Sequence, residues 1–242
     1  MARKQIELIN NEFYHLVIRG VGDSLIFKNI DDYYRGIFSL YEFNNAKSVS
    51  IKDRRKARAN LKKKSRGSTS GKLPQEVDKR EKFVQILSFC LMPNHIHLLV
   101  KQIKDGGITE FMRKVGTGYA VYFNKKYNRK GHLFQGFRTV HIKDNNQLKN
   151  VSVYIHTNPI SLIEPKWKEK GIKNPKKTMK FLETYRWSSY LDYIGKKNFP
   201  SVSERDFLIK SIGGIKLFKK SIENWIKYKA EFINNSFYLE LE

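Results

Sequence analysis

The sequence predicts an α+β fold: an antiparallel sheet in the chain order βαββαβ, with an added helix and C-terminal helices. Three observations carry that expectation. Short runs rich in β-branched and aromatic residues alternate with stretches of helical apolar spacing, in the order strand, helix, strand, strand, helix, strand, helix through residue 158. The two middle runs are separated only by Pro93-Asn94, which is turn chemistry and makes them a hairpin. Of the 242 residues, 40% are hydrophobic and 13% aromatic, so the chain can bury a core and lacks the composition of a disordered protein.

The elements follow in order. "FYHLVIR" (13–19) is a strand, "GVGD" a turn, and "SLIF" (24–27) a second short extended piece. "DDYYRGIFSLYEFNNA" is a helix. Asp31 and Asp32 suit its positive first turn, and Tyr34, Ile37, Phe38 and Tyr41 recur at helical spacing. Residues 46–80 break the pattern. "KDRRKARANLKKKSR" (52–66) holds nine basic residues and one acid, and "GSTSGKLP" has linker composition. The segment reads as a disordered basic insertion, or as a solvated loop.

"KFVQILSFCLM" (82–92) and "HIHLLVK" (95–101) are the hairpin strands. "ITEFMRKVGTGYAVYFNKKYN" (108–128) is an amphipathic helix weakened by Gly116 and Gly118. "GHLFQGFRTVHI" (131–142) runs from a loop into a strand. "DNNQLKNVSVYIHTNP" (144–159) is a helix. It opens on Asp144 and Gln147 as a capping pair, presents Leu148, Val151 and Ile155 on its apolar face, and ends before Pro159. This is a ferredoxin-like order, expected to be covered on one face of the sheet. Beyond Pro165, "YRWSSYLDYIG" and "IKLFKKSIENWIKYKAEF" read as helices on the outside of the core. Residues 1–195 are expected to form one catalytic unit and 196–242 a helical extension.

Charge bounds the partner. Lys and Arg number 47 against 23 Asp and Glu, a formal net charge of +24. Clustered cations gain free energy by releasing counterions from phosphates, so a polyanion is the natural partner. Cys90 is the single cysteine, which excludes a disulfide within the chain and a Cys-rich zinc module. "FYHLVI" is too short for a signal peptide, and no run has the length of a bilayer span. The expected setting is cytoplasmic and reducing. No GxxxxGK[ST] loop is present, so nucleotide hydrolysis is not indicated.

The residues that carry chemistry lie in "FCLMPNHIHLLV" (89–100) and in the late helix. His95 and His97 are two apart on a strand and point to one face, so both imidazoles can reach one cation if a third ligand converges. The plain alternative is a solvent-facing pair. Tyr154 and Asn158 are four apart on one side of their helix. By spacing alone, Tyr154 is either a packed phenol or a nucleophile, and Asn158 either a helix end before proline or a ligand. Tyr119, in "GYAVYFN", is a rival phenol, but Phe123 stands where an asparagine would be needed. His15, His141 and His156 read as structural or exposed.

"LMPNHIHLLV" resembles the histidine–hydrophobic–histidine (HUH) motif of single-tyrosine transposases, and "YIHTNP" resembles the Tyr-x-x-x-Asn helix of their REP-associated branch. "YHLVIRGVGDSLIFKNIDDYY", "GHLFQGFRTVHI" and "YRWSSYLDY" are similar to further segments of that family, in the same order, over about residues 11–195. The chain departs from it in two places. Gly136-Phe137-Arg138 stands where the family often has Gly-Arg-Phe, and the basic insertion is longer than usual.

The resemblance implies a DNA strand nuclease and transferase. His95, His97 and Asn158 would hold Mg²⁺ or Mn²⁺ at the scissile phosphate, and Tyr154 would attack to give a 5′-phosphotyrosine. Single-stranded or hairpin DNA would be the substrate, in a nucleoid-associated protein, and relatives act as homodimers or as monomers. Lys101, Lys114, Lys125, Lys126, Arg129, Lys130 and Arg138 are the candidate DNA contacts, each with an ordinary reading as a solvated charge. The alternative function is a domesticated, non-catalytic nucleic-acid-binding protein.

Overall fold

The computed structural model describes residues 7–52, 54, 56, 59–60 and 78–239, with the backbone alone over 231–239. The rest of the basic insertion, including residues 61–77, lies outside the described residues. Four strands, β1 (Phe13–Arg19), β2 (Val84–Met92), β3 (His95–Gln102) and β4 (Arg138–Ile142), form one sheet in the order β2-β3-β1-β4. Every neighbouring pair is antiparallel, as a ferredoxin-like chain order requires.

The sheet is covered on both faces, not on one as the sequence was expected to give. The central strand β3 is buried along nearly its whole length because side chains of both parities meet a helix layer. On one face, α1 (Ile30–Glu42) and α2 (Gly107–Lys126) pack over Tyr14, Leu16 and Ile18. Two glycines set the distance of that layer. A Cβ at Gly36 would meet the side chains of Leu91 and Phe27 at 2.7 Å, and one at Gly118 would meet the Phe43 ring at 2.2 Å. Gly118 therefore lets α2 approach closely. The other face is covered by α3 (Asn145–Thr157) and the C-terminal helices, where Ser152 Oγ lies 3.2 Å from Ser88 Oγ of β2.

Two local expectations change. Residues 24–27 do not pair as a strand. The N–H groups of Ile26 and Phe27 both donate to the Pro93 carbonyl, at 2.8 and 3.0 Å, and the segment wraps the β2–β3 turn. In α1 the buried face is Gly36, Ile37 and Leu40, whereas Tyr34 is 43% exposed. Apolar spacing located the helix but not its rotation.

Asp32 is more than a first-turn acid. Its side chain closes a capping box with Asn29 and is fully buried. It accepts from Lys126 Nζ at 2.7 Å, Tyr127 Oη at 2.7 Å, Tyr122 Oη at 3.0 Å and the Lys28 N–H at 2.9 Å. Burial pushes its pKa up, but these donors outweigh burial and hold it below the ordinary value. An Asp32→Ala chain would leave a cation without its partner between α1 and α2. It is expected to lose about 2–4 kcal/mol in urea unfolding. A loss well under about 1 kcal/mol would show that water replaces the carboxylate.

The C-terminal part seals the opposite edge of the sheet. The Leu91 N–H donates to the Trp187 carbonyl at 2.8 Å and the Ser189 N–H to the Phe89 carbonyl at 3.0 Å, so residues 187–189 run along β2. Beyond the tyrosine helix come α4 (Trp167–Lys170), α5 (Pro175–Leu182), α6 (Tyr190–Tyr193), α7 (Asp206–Ile212) and α8 (Ile215–Leu239). Phe218, Ile222 and Ile226 of α8 are fully buried in the same core as the sheet. Cys90 is fully buried as well, and burial pushes its thiol pKa up, which suits an inert packing residue. Among the described residues, no helix is long and apolar enough to cross a membrane.

Candidate active site

Strand register assembles the site. Antiparallel pairing sets Arg19 opposite His95 and Val17 opposite His97, and Arg138 of β4 lies opposite Val17. Arg138, Val17 and His97 therefore form one row across the sheet, on one face. The imidazoles of His95 and His97 stand together as their i, i+2 spacing required, with ring centroids 4.8 Å apart.

Helix α3 brings Tyr154 onto this face. Asp144 caps the helix by accepting from the Gln147 N–H at 2.8 Å, and Gln147 reaches back to the Lys143 N–H at 2.8 Å. Leu148, Ser152, Ile155 and His156 are buried, and His156 Nε2 lies 2.7 Å from Ser189 Oγ. These contacts fix the rotation of the helix and turn Tyr154 toward the histidines. Its ring meets His97 edge to face at 5.6 Å and His15 at 5.9 Å. Its oxygen accepts a hydrogen bond from Lys168 Nζ at 3.0 Å. Asn158 is buried just past the helix end, and its amide donates to the Tyr154 carbonyl at 3.1 Å.

The histidines are neutral at pH 7. Burial lowers the His95 pKa to about 4, helped by the charges of Arg19 and Lys168 and opposed by Asp23. Burial also takes His15 to about 4. His97 is held well below its ordinary value by burial, then by the neighbouring imidazoles, Lys168 and Arg19. His95 Nδ1 lies 2.6 Å from the Asn94 amide oxygen, which assigns the proton to Nδ1 and a lone pair to Nε2. His97 Nδ1 lies 2.9 Å from His15 Nε2. Among the described residues, no hydrogen bond occupies Nε2 of His95 or of His97.

Two neutral imidazoles with open Nε2 atoms fit a divalent cation. Among the described residues, no group of three His, Cys, Asp or Glu side chains stands at metal-binding spacing. The remaining positions would fall to the Asn158 amide oxygen, to water and to phosphate oxygens, which suits Mg²⁺ or Mn²⁺.

The candidate DNA contacts separate. Arg138 is exposed in the histidine row. Lys101 shares that face but lies four residues along β3 from His97, about 13 Å away. Lys114, half-buried, and Lys126, exposed, are both engaged by partners within the protein and are corrected from free cations to structural ones. Lys114 donates to the carbonyls of Asn45 and Lys47, and Lys126 pairs with Asp32. Arg129 closes its own turn through the carbonyls of Gly131 and His132. Lys125 and Lys130 are exposed, Lys125 on the helix that covers the other face.

Three residues of the site escaped the sequence reading. By sequence His15 reads as structural or exposed, yet it touches His97 and the Tyr154 ring. Its alternation with Val17 and Arg19 was visible, but only register shows what it faces. In the sequence Arg19 is only the last residue of the first strand. Lys168 had no local signal.

Acid should loosen this layer. His15 and His95 titrate near 4 and His156 near 3 in the folded chain, each lowered by burial, against about 6.5 when unfolded. Below about 6.5 the unfolded chain takes up protons that the folded one refuses, so stability falls with pH and is flat above that value for these groups. The urea midpoint is expected to drop between pH 7 and pH 5. A constant midpoint would mean that the imidazoles titrate as if solvated.

With this geometry in hand, likeness to other proteins can be weighed. No curated protein sequence is significantly similar to the chain. The solved structure of a REP-associated tyrosine transposase bound to a REP hairpin superposes with a TM-score of 0.50, covering 83% of this chain and 90% of that one at 10% identity. That likeness is one of fold. The model of a family described as IS200-like transposase matches residues 48–158, the stretch that holds both hairpin strands and the tyrosine helix. Over that stretch, which is less than half of the 242 residues, the chain is similar to IS200-like transposases.

Proposed function

We propose that this protein is a transposase that cuts and rejoins single-stranded DNA through a 5′-phosphotyrosine on Tyr154, beside a divalent cation held by His95, His97 and Asn158. The observation that carries the reading is the edge-to-face contact of Tyr154 with His97, which joins two motifs 57 residues apart (154 − 97) at one point. Both belong to one chain, so this contact forms without a second copy.

When bound, Mg²⁺ or Mn²⁺ would polarise a non-bridging oxygen of the scissile phosphate. The chain's own residues do the rest. Arg19 and Arg138 flank the imidazoles on the same face and would hold the phosphate backbone. The Tyr154 oxygen bonds to phosphorus while the P–O3′ bond breaks; the phenol proton leaves to solvent and the 3′ oxygen gains one. The ester keeps the bond energy, so a 3′-hydroxyl can reverse the step without ATP. The net charge of +24 supports a polyanionic substrate, and the hairpin bound by the structurally similar transposase supports hairpin or repeated palindromic DNA.

The test is incubation with radiolabelled hairpin DNA and Mn²⁺, followed by peptide mapping. A covalent adduct on the peptide containing Tyr154 supports the reading. Retarded DNA with no adduct would leave only a nucleic-acid-binding protein.

A further inference from the structure

We propose that Lys168 is a further catalytic residue of this site, holding the Tyr154 oxygen and balancing its negative charge as the bond to phosphorus forms or breaks. The inference rests on the reading of Tyr154 as nucleophile. The Lys168 ammonium lies 3.0 Å from the phenol oxygen and 4.9 Å from the ring centroid. Among the described residues it is the hydrogen-bond partner of that oxygen, and no carboxylate pairs with it to cancel its charge.

Lys168 is exposed, but the backbone that carries it is anchored. The preceding residue, Trp167, is 2% exposed and packs edge to face on Trp225 of α8 at 5.0 Å. Just beyond α4, the Ile172 N–H donates to the Lys229 carbonyl at 3.1 Å. The C-terminal helix thus grips the chain on both sides of Lys168 and aims it at Tyr154, which gives that helix a part in the chemistry.

An ammonium already bonded to the phenol oxygen can offset the charge that develops there. In cleavage, phosphorus gains the tyrosine oxygen and loses O3′; in rejoining, the phenolate leaves. Lys168 keeps its proton in both directions and stabilises the same oxygen.

The test compares wild type with Lys168→Met and Lys168→Arg in single-turnover adduct formation on labelled hairpin DNA with Mn²⁺. Lys168→Met is expected to slow the step by about 100-fold while DNA affinity changes less than about threefold. Lys168→Arg should recover most of the rate. A second readout needs no DNA: O-acylation of Tyr154 by N-acetylimidazole, read by peptide mass spectrometry, should be slower in Lys168→Met. Equal adduct rates in Met variant and wild type would overturn the proposal, as would a loss explained wholly by affinity. If wild type forms no adduct, the nucleophile reading fails by itself, and equal acylation rates would then refute the role of Lys168 separately.

Discussion

A Tyr154→Phe chain is expected to bind hairpin DNA as wild type does and to form no covalent adduct. The ring of Tyr154 packs edge-on against His97 and His15, and phenylalanine keeps both contacts. Only the bond from Lys168 is lost, which costs at most about 1 kcal/mol of stability. On the proposed role of Tyr154 the attacking oxygen is gone, so adduct formation should fall by at least about 10⁴-fold. Tyr119 cannot stand in. It is 1% exposed, its hydroxyl donates to the Ile26 carbonyl, and burial drives its pKa far up. An adduct that survives in Tyr154→Phe would sink the assignment, and peptide mapping would locate the true nucleophile.

Removing the imidazoles should come next in size. His95→Ala and His97→Ala are each expected to reduce Mn²⁺-dependent cleavage by about 10²–10³-fold, and the double variant little further, because on the proposed reading the two would act as one ligand pair. Their effects on folding should differ. His97 is 4% exposed and holds His15 at 2.9 Å, so its loss opens a cavity and strips a buried nitrogen of its partner, a cost of about 1–3 kcal/mol. His95 is half-buried near the hairpin turn and should cost less. Urea unfolding and Mn²⁺ titration calorimetry separate the two effects. Cleavage that persists in the double variant, or that survives a chelator, would remove the cation from the account.

Much of this was written locally. The i, i+2 spacing of His95 and His97 fixed their common face, because a strand repeats every two residues. Asp144 with Gln147 marked the start of the tyrosine helix through capping chemistry that needs no distant partner. The order of strands and helices followed from periodicity, and the four-stranded sheet has that order.

What periodicity could not supply was partnership. Apolar spacing placed α1 but misjudged its rotation, since a neighbouring helix and Phe27 decide which side is covered. Nothing near Lys114 or Lys126 told a free cation from one held by the Asn45 carbonyl or by Asp32. His15 meets His97 across 82 residues, and Lys168 reaches Tyr154 only because α8 anchors Trp167. By itself, then, the sequence determined the elements, the histidine face and the tyrosine helix, all of which depend on neighbours within a few residues. The tertiary structure alone decided which cations face the site and what holds the Tyr154 oxygen, because those contacts form only when strand register and helix packing bring distant segments together.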